Sequence, residues 1–279
     1  ATRVSAIQAG DAQIMWSVPT ESVDTLKGDS NVSVGMGDSI AVWYFFMNTQ
    51  KAPFNDVKVR EAMAYAINKE AYIQVVMNGY GSVATSMVGE EVQHYKGNDP
   101  YSYDPEKAKE LLKEAGYPDG FECSIFVNGD LRTRSAQILQ AQLADVGIKV
   151  DISTYEWGAL LDTLNAGEHE MFLLGWSNTS FDPDGSTYQL FYSGNHGATG
   201  NRAFFSNDKV DELILSAQRE SEESKRMELY KELQFVLHDE SPWCPLYYKN
   251  DNVGVRADLK GFKLHKGAQH YLGNCHYEK

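Results

Sequence analysis

FECSIFVNGDLRTRSAQILQAQLADVGIKVDISTYEWGALLDTLNAGEHEMFLLGW, residues 121–176, changes its hydrophobic period at each step along the chain. Cys123, Ile125 and Val127 alternate with polar neighbours, which predicts a half-buried strand. Ile138, Leu139, Leu143 and Val146 then recur at helical spacing over about 134–146, up to Gly147. Val150 and Ile152 mark a second strand, a short helix begins near Trp157, and EMFLLGW is a third strand. Strand, helix, strand, helix, strand builds a sheet with parallel members and helices on its faces, so the fold class is α/β.

Helical patterns flank this core. VKVREAMAYAINKEAYIQVVMN, residues 57–78, spaces its apolar groups as one amphipathic helix closed by Gly79. In YDPEKAKELLKEAGY, Asp104 suits the cap, Pro105 the first helical position and Gly116 the left-handed exit. Asn207 opens another helix with Val210, Leu213, Ile214 and Ala217 on one face, and a further helix is expected over about 222–238. The tail from Pro245 to His265 is strand-like, with turn residues between. Residues 1–47 hold one helix-like piece, AIQAGDAQIMW, and short strands such as NVSVG and AVWYFF. These cannot close a core alone and are expected to pack on something else.

Composition excludes several classes. A 279-residue chain with 42% hydrophobic residues can bury a substantial core. With 25 basic and 39 acidic residues it carries a formal charge of −14, which repels nucleic acid and anionic membranes. No apolar run reaches the roughly 20 residues of a membrane-spanning helix, and ATRVSAIQAGDAQIM has no signal-peptide pattern. Cys123, Cys244 and Cys275 are widely spaced and odd in number, so they read as small hydrophobes rather than a zinc site or disulfide framework.

The third strand delivers the polar loop SNTSFDPDG. Its acids fail as a calcium loop: with Gly185 at loop position six, Ser180 and Phe191 would stand where an acid and a bidentate glutamate are needed. Asp182, Pro183, Asp184 and Gly185 instead read as turn residues. His169 and Glu170 begin an H-E-x-x-H pattern that stops at Leu173, and the remaining histidines lack a patterned carboxylate or nucleophile. Neither a G-x-S-x-G elbow nor a phosphate loop appears, so nothing points to an enzyme. Trp176 before the loop and Tyr188, Phe191 and Tyr192 after it suit the aromatic wall of a ligand crevice, although packing is the stronger reading for any one of them. Arg132 and Arg134, at a loop-to-helix transition, are candidate anion contacts or solvated surface groups.

PFNDVKVREAMAYAINKEA, YDPEKAKELLKEAGYPDGF, LQAQLADVGIKVDISTYEWG, GWSNTSFDPDG and KRMELYKELQFVLHDESPWCPLY occur in an order that resembles one family. It is that of the extracytoplasmic solute-binding proteins of ABC importers, in the dipeptide, oligopeptide and nickel group (family 5). The resemblance implies a type II periplasmic-binding-protein-like fold of two lobes, of which this chain matches the C-terminal portion. Residues 1–48 would be a remnant of lobe I, 49–251 would be lobe II, and 252–279 would return to lobe I. A signal or lipoprotein segment would lie outside the chain.

It further implies capture of a peptide or peptide-like solute for delivery to a membrane permease, without bond chemistry or cofactor, by a monomer in the periplasm or on the cell surface. A non-peptide solute (an oligosaccharide or nickel chelate) and a solute sensor are the alternatives. In peptide-binding relatives an aspartate three residues beyond the tryptophan of the GW pair meets the ligand's amino terminus. Here that position is Thr179, and a hydroxyl cannot neutralise an ammonium. Trp176 is then expected to wall the ligand, Asn178 and Thr179 to hydrogen-bond it, and Arg132 or Arg134 to supply positive charge. Asp182 is a possible substitute acid, although a turn residue before Pro183 is drawn to the backbone.

Overall fold

A computed structural model of the chain describes residues 1–38, 40–98, 101–265 and 270–277. The chain opens with α1 (Thr2–Ala9), β1 (Ile14–Trp16), α2 (Thr20–Lys27) and β2 (Val32–Gly37), then enters β3 (Ala41–Met47). There follow α3 (Val57–Tyr65), α4 (Lys69–Met77), β4 (Gly81–Val83), α5 (Pro105–Glu114), β5 (Glu122–Val127), α6 (Gly129–Ala144) and β6 (Lys149–Thr154). The remainder is α7 (Trp157–Asn165), β7 (Met171–Ser177), α8 (Asp184–Phe191), α9 (Asp208–Arg219), α10 (Glu223–Glu240), β8 (Trp243–Lys249), β9 (Asp251–Arg256), β10 (Leu259–Lys260) and β11 (His276–Tyr277).

Two sheets carry the architecture. The larger has the order β4-β8-β3-β7-β5-β6, in which β5 is parallel to β6 and β7 while the other pairs are antiparallel. This is the α/β sheet with parallel members expected from residues 121–176. The smaller sheet, β1-β9-β2, is antiparallel and covers its own core of Ile7, Met15, Val18, Val23, Leu26 and Val32.

AVWYFFM in β3 explains why the larger sheet is buried on both faces. Phe45 and Met47 enter one core with Met63, Leu111 and Leu139, while Val42, Tyr44 and Phe46 enter the other with Leu213, Leu233 and Trp243. A strand with an apolar layer on each side reads as a continuous apolar run rather than an alternation. This corrects the first boundary: residues 41–47 are not a fringe of the first unit but the centre of the six-stranded sheet, between β8 and β7. The chain passes from the small sheet to the large one between Gly37 and Ala41 rather than at 48, and returns between Lys249 and Asp251.

Local capping chemistry accounts for the other differences. Residues 57–78 form two helices instead of one, because the Asn68 side chain accepts from the Ala71 N–H at 2.8 Å and starts α4 afresh. Gly10, at φ +87, ends the first helix early and frees IMW to pair with β9. The helix expected from about 134 begins at Gly129, and the DPDG turn opens directly into α8. Asp104 caps α5 by accepting from Lys107, Asn207 caps α9, and Gly116 takes φ +90, all as their sequence positions predict. Cys123 and Cys244 are buried, and burial raises their thiols to about 12 and about 11.

Candidate ligand cleft

A cleft of about 290 Å³ lies where the two sheets meet. Trp16 and Ser17 line it from the end of β1, and Ala41 and Trp43 from the start of β3. Trp176 and Thr179 line it after the middle of β7, Arg132 from α6, and Lys249 and Asp251 from the β8–β9 crossing. Gly37 pairs with Asp251 in the small sheet, so the two passages between sheets run side by side at one edge of the cleft.

Trp43 is the floor of the site, and Gly175 is the reason it lies where it does. The two face each other across β3 and β7, and a Cβ on residue 175 would come within 2.8 Å of the indole ring. Only glycine leaves room for the ring on the sheet backbone. Tyr247 stacks on Trp43 at 6.0 Å with an interplanar angle of 7°. The Arg132 guanidinium sits 5.3 Å from the Trp43 ring centroid and 5.6 Å from that of Trp157. Such contacts stabilise a guanidinium through the ring quadrupole, by about 1–2 kcal/mol when partly desolvated.

Arg132 is otherwise poorly satisfied. Its Nη1 donates to the Asn128 carbonyl at 3.3 Å, its Nε is buried without a hydrogen-bond acceptor, and no carboxylate among the described residues lies within ion-pair distance. Burial lowers its pKa, but a guanidinium keeps its charge at any physiological pH. The cleft therefore holds a partly desolvated cation framed by aromatic faces.

The loop after β7 is organised inwardly. Asn178 is buried; its Nδ2 donates to the Asp182 carbonyl at 2.6 Å and to Ser186 Oγ at 2.9 Å, and its Oδ1 accepts from Ser180 at 2.7 Å. Asp182 Oδ1 accepts from Arg226 at 2.7 Å and from the Asp184 N–H at 2.9 Å. Burial pushes the Asp182 carboxyl upward, but the Arg226 and Asp184 hydrogen bonds leave it below the usual carboxylate range. Trp176 Nε1 donates to the Gly185 carbonyl at 3.2 Å, fastening the indole to the loop.

Of the six residues singled out from sequence, Trp176, Thr179 and Arg132 come together at the cleft. Asn178 and Asp182 do not. Their polar atoms are consumed in shaping the loop, so neither is free to meet a ligand. Arg134 is exposed on α6 and lies outside the cleft lining. Trp16, Trp43, Lys249 and Asp251 were missed; the glycine of the GW pair was the one available hint, since a small residue in an apolar strand marks a close approach from a neighbour. Among the described residues no group of three His, Cys, Asp or Glu side chains is placed to hold a metal ion, and no helix is long and apolar enough to cross a membrane.

A family model described as bacterial extracellular solute-binding proteins, family 5 middle, matches residues 1–198. The glutathione-binding protein GsiB of Salmonella choleraesuis is 36% identical over 269 residues, covering 94% of this chain and 52% of that protein. The chain thus spans about half the length of the curated relatives it matches. Among solved structures, the ABC transporter-associated periplasmic binding protein DppA from Helicobacter pylori, in complex with peptide STSA, superposes with a TM-score of 0.90 at 33% identity. That match covers 100% of this chain and 55% of that one. A dipeptide-binding protein from Pseudoalteromonas in complex with Met-Leu gives 0.88 at 26% identity, covering 99% and 56%.

Proposed function

This chain belongs to the bacterial extracellular solute-binding proteins of family 5, and we propose that it supplies one side of a cleft that captures a peptide or peptide-like solute for an ABC importer. The six-stranded unit acts as one lobe, and the three-stranded unit belongs to the other. The strand passages that leave Gly37 and Lys249 serve as the hinge, and closure buries the ligand between the lobes. The protein works outside the cytoplasm as a monomer, hands its solute to a membrane permease, and carries out no bond chemistry.

The observation that carries this reading is Arg132, a half-buried guanidinium whose Nε is buried and which has no carboxylate partner among the described residues, set against Trp43 and Trp157 in an aromatic-walled cleft. An unpaired charge in such a place is expensive unless a ligand anion completes it, and a planar fork suits a carboxylate. Peptides carry that group. Relatives whose names record glutathione, STSA and Met-Leu as ligands support the same class.

Calorimetric titration tests it with glutathione, Ser-Thr-Ser-Ala and Met-Leu, beside an oligosaccharide and a nickel–histidine complex. At least one peptide is expected to bind and to raise the melting temperature. Binding confined to the sugar or the nickel complex would overturn the reading.

A further inference from the structure

Asp251 is the one acidic side chain among the described residues lining the cleft. It is 7% exposed, and its carboxylate has neither a hydrogen bond nor an ion pair within 4.0 Å among the described residues. Arg132, on the opposite unit, is the matching case of opposite sign. Charges withdrawn from solvent are ordinarily paired, and one buried and one half-buried residue of opposite sign that line the same cavity without meeting each other describe the shape of a missing zwitterion.

The neighbours of Asp251 do not resolve its charge. Burial raises its carboxyl above the usual range, opposed by the nearby charges of Lys249 and His270. Lys249 lines the same cleft but lies beyond ion-pair distance, and His270 makes no hydrogen bond to Asp251 while burial lowers its pKa. The loop after β7 offers no alternative: Asp182 is bound to Arg226, Asn178 is used internally, and Thr179 is uncharged. An ammonium entering this cleft has a single carboxylate to meet among the described residues.

We propose that Asp251 binds the free amino terminus of the solute, while Arg132 takes its carboxylate, so that the cleft selects zwitterionic peptides over amino-blocked ones. The assignment rests on the peptide reading above. Asp251 opens β9 in the small sheet and Arg132 lies on α6 beside the large one, so a ligand held by both ties the two units together across the strand passages.

The test titrates the whole protein and its Asp251→Asn variant with Ser-Thr-Ser-Ala and glutathione, each free and N-acetylated. The unsubstituted protein is expected to prefer the free peptide by about tenfold or more, the range of one charge-assisted hydrogen bond. Asp251→Asn is expected to lose that preference by weakening only towards the free peptide, while melting no lower than the parent in the absence of peptide. A variant that keeps the parent's preference overturns the assignment and leaves the peptide reading standing. Equal affinity of the parent for free and acetylated peptide overturns it as well, without relying on any variant. If neither peptide binds in either form, both readings fall together.

Discussion

Asp182 with Arg226, and Asp251 with Arg132, are the same two residue types set in opposite circumstances. On the outer side of the β7 loop, Asp182 and Arg226 meet at 2.7 Å, and Arg226 also lies 4.8 Å from the Tyr230 ring centroid. In the cleft, Asp251 is buried and Arg132 half-buried, and neither has an ionic partner among the described residues. The first pair belongs to the architecture: it holds the loop to α10 and removes a sequence-level candidate from the binding site. The second keeps two partly desolvated charges without ionic partners among the described residues, an arrangement that favours whatever neutralises both. Family position singled out the loop; the state of the charges singles out the cleft.

His169 provides the largest expected effect and sharpens the contrast, because it is a buried titratable group remote from the cleft. It is fully buried, its ring bonds the Arg202 carbonyl at 2.8 Å, and Nδ1 has no partner among the described residues. Burial, against that hydrogen bond, lowers its pKa from 6.5 to about 4, so it escapes the cost by staying neutral, as Arg132 cannot. Its stabilising contribution is complete above 6.5 and is lost as the pH falls towards 4, where the unfolded chain binds a proton that the folded one refuses. The loss should approach about 3 kcal/mol in urea unfolding, and His169→Gln should flatten that slope.

Gly175→Val comes next. The added side chain collides with the Trp43 ring across the strand pair, which should cost about 2–3 kcal/mol and abolish peptide binding along with the aromatic floor. If the variant melts like the parent, the cleft wall is softer than the comparison requires. Arg226→Ala should cost roughly 1–2 kcal/mol, reduced by the partial exposure of the pair, and should leave the preference for free over acetylated peptide intact. Because the Asp182 pKa is depressed, the contribution of that pair is present above pH 3.8 and disappears as the pH falls through the folded-state value.

The smallest stability effect belongs to Arg132→Gln, which should leave the empty protein unchanged or more stable by under about 1 kcal/mol while weakening peptide binding. A large destabilisation would make Arg132 architectural, like Arg226, and erase the distinction between the two regions.

Much of the fold was legible in advance because its signals are local. The alternation in 121–127, the caps at Asp104 and Asn207 and the left-handed exit at Gly116 depend on neighbours a few residues away. The break at Asn68 was local too, yet the apolar spacing on either side of it continued in phase and concealed the cap. AVWYFFM was misplaced for a different reason. A continuous apolar run shows that both faces are covered, but not which layers cover them.

The site divided along the same line. Residues 173–185 contain the GW pair, the turn acids and the threonine, and their sequence by itself determined the loop's position after a buried strand and the absence of a carboxylate at 179. Whether a charged side chain would be paired was decided only in three dimensions. Asp182 finds its arginine 44 residues away, and the backbone of Asp251 pairs with Gly37 far back in the chain while its carboxylate finds no partner among the described residues. Periodicity and capping act over a turn or a strand, whereas the neutralisation of a buried charge depends on which distant groups the packed chain brings within a few ångströms of it.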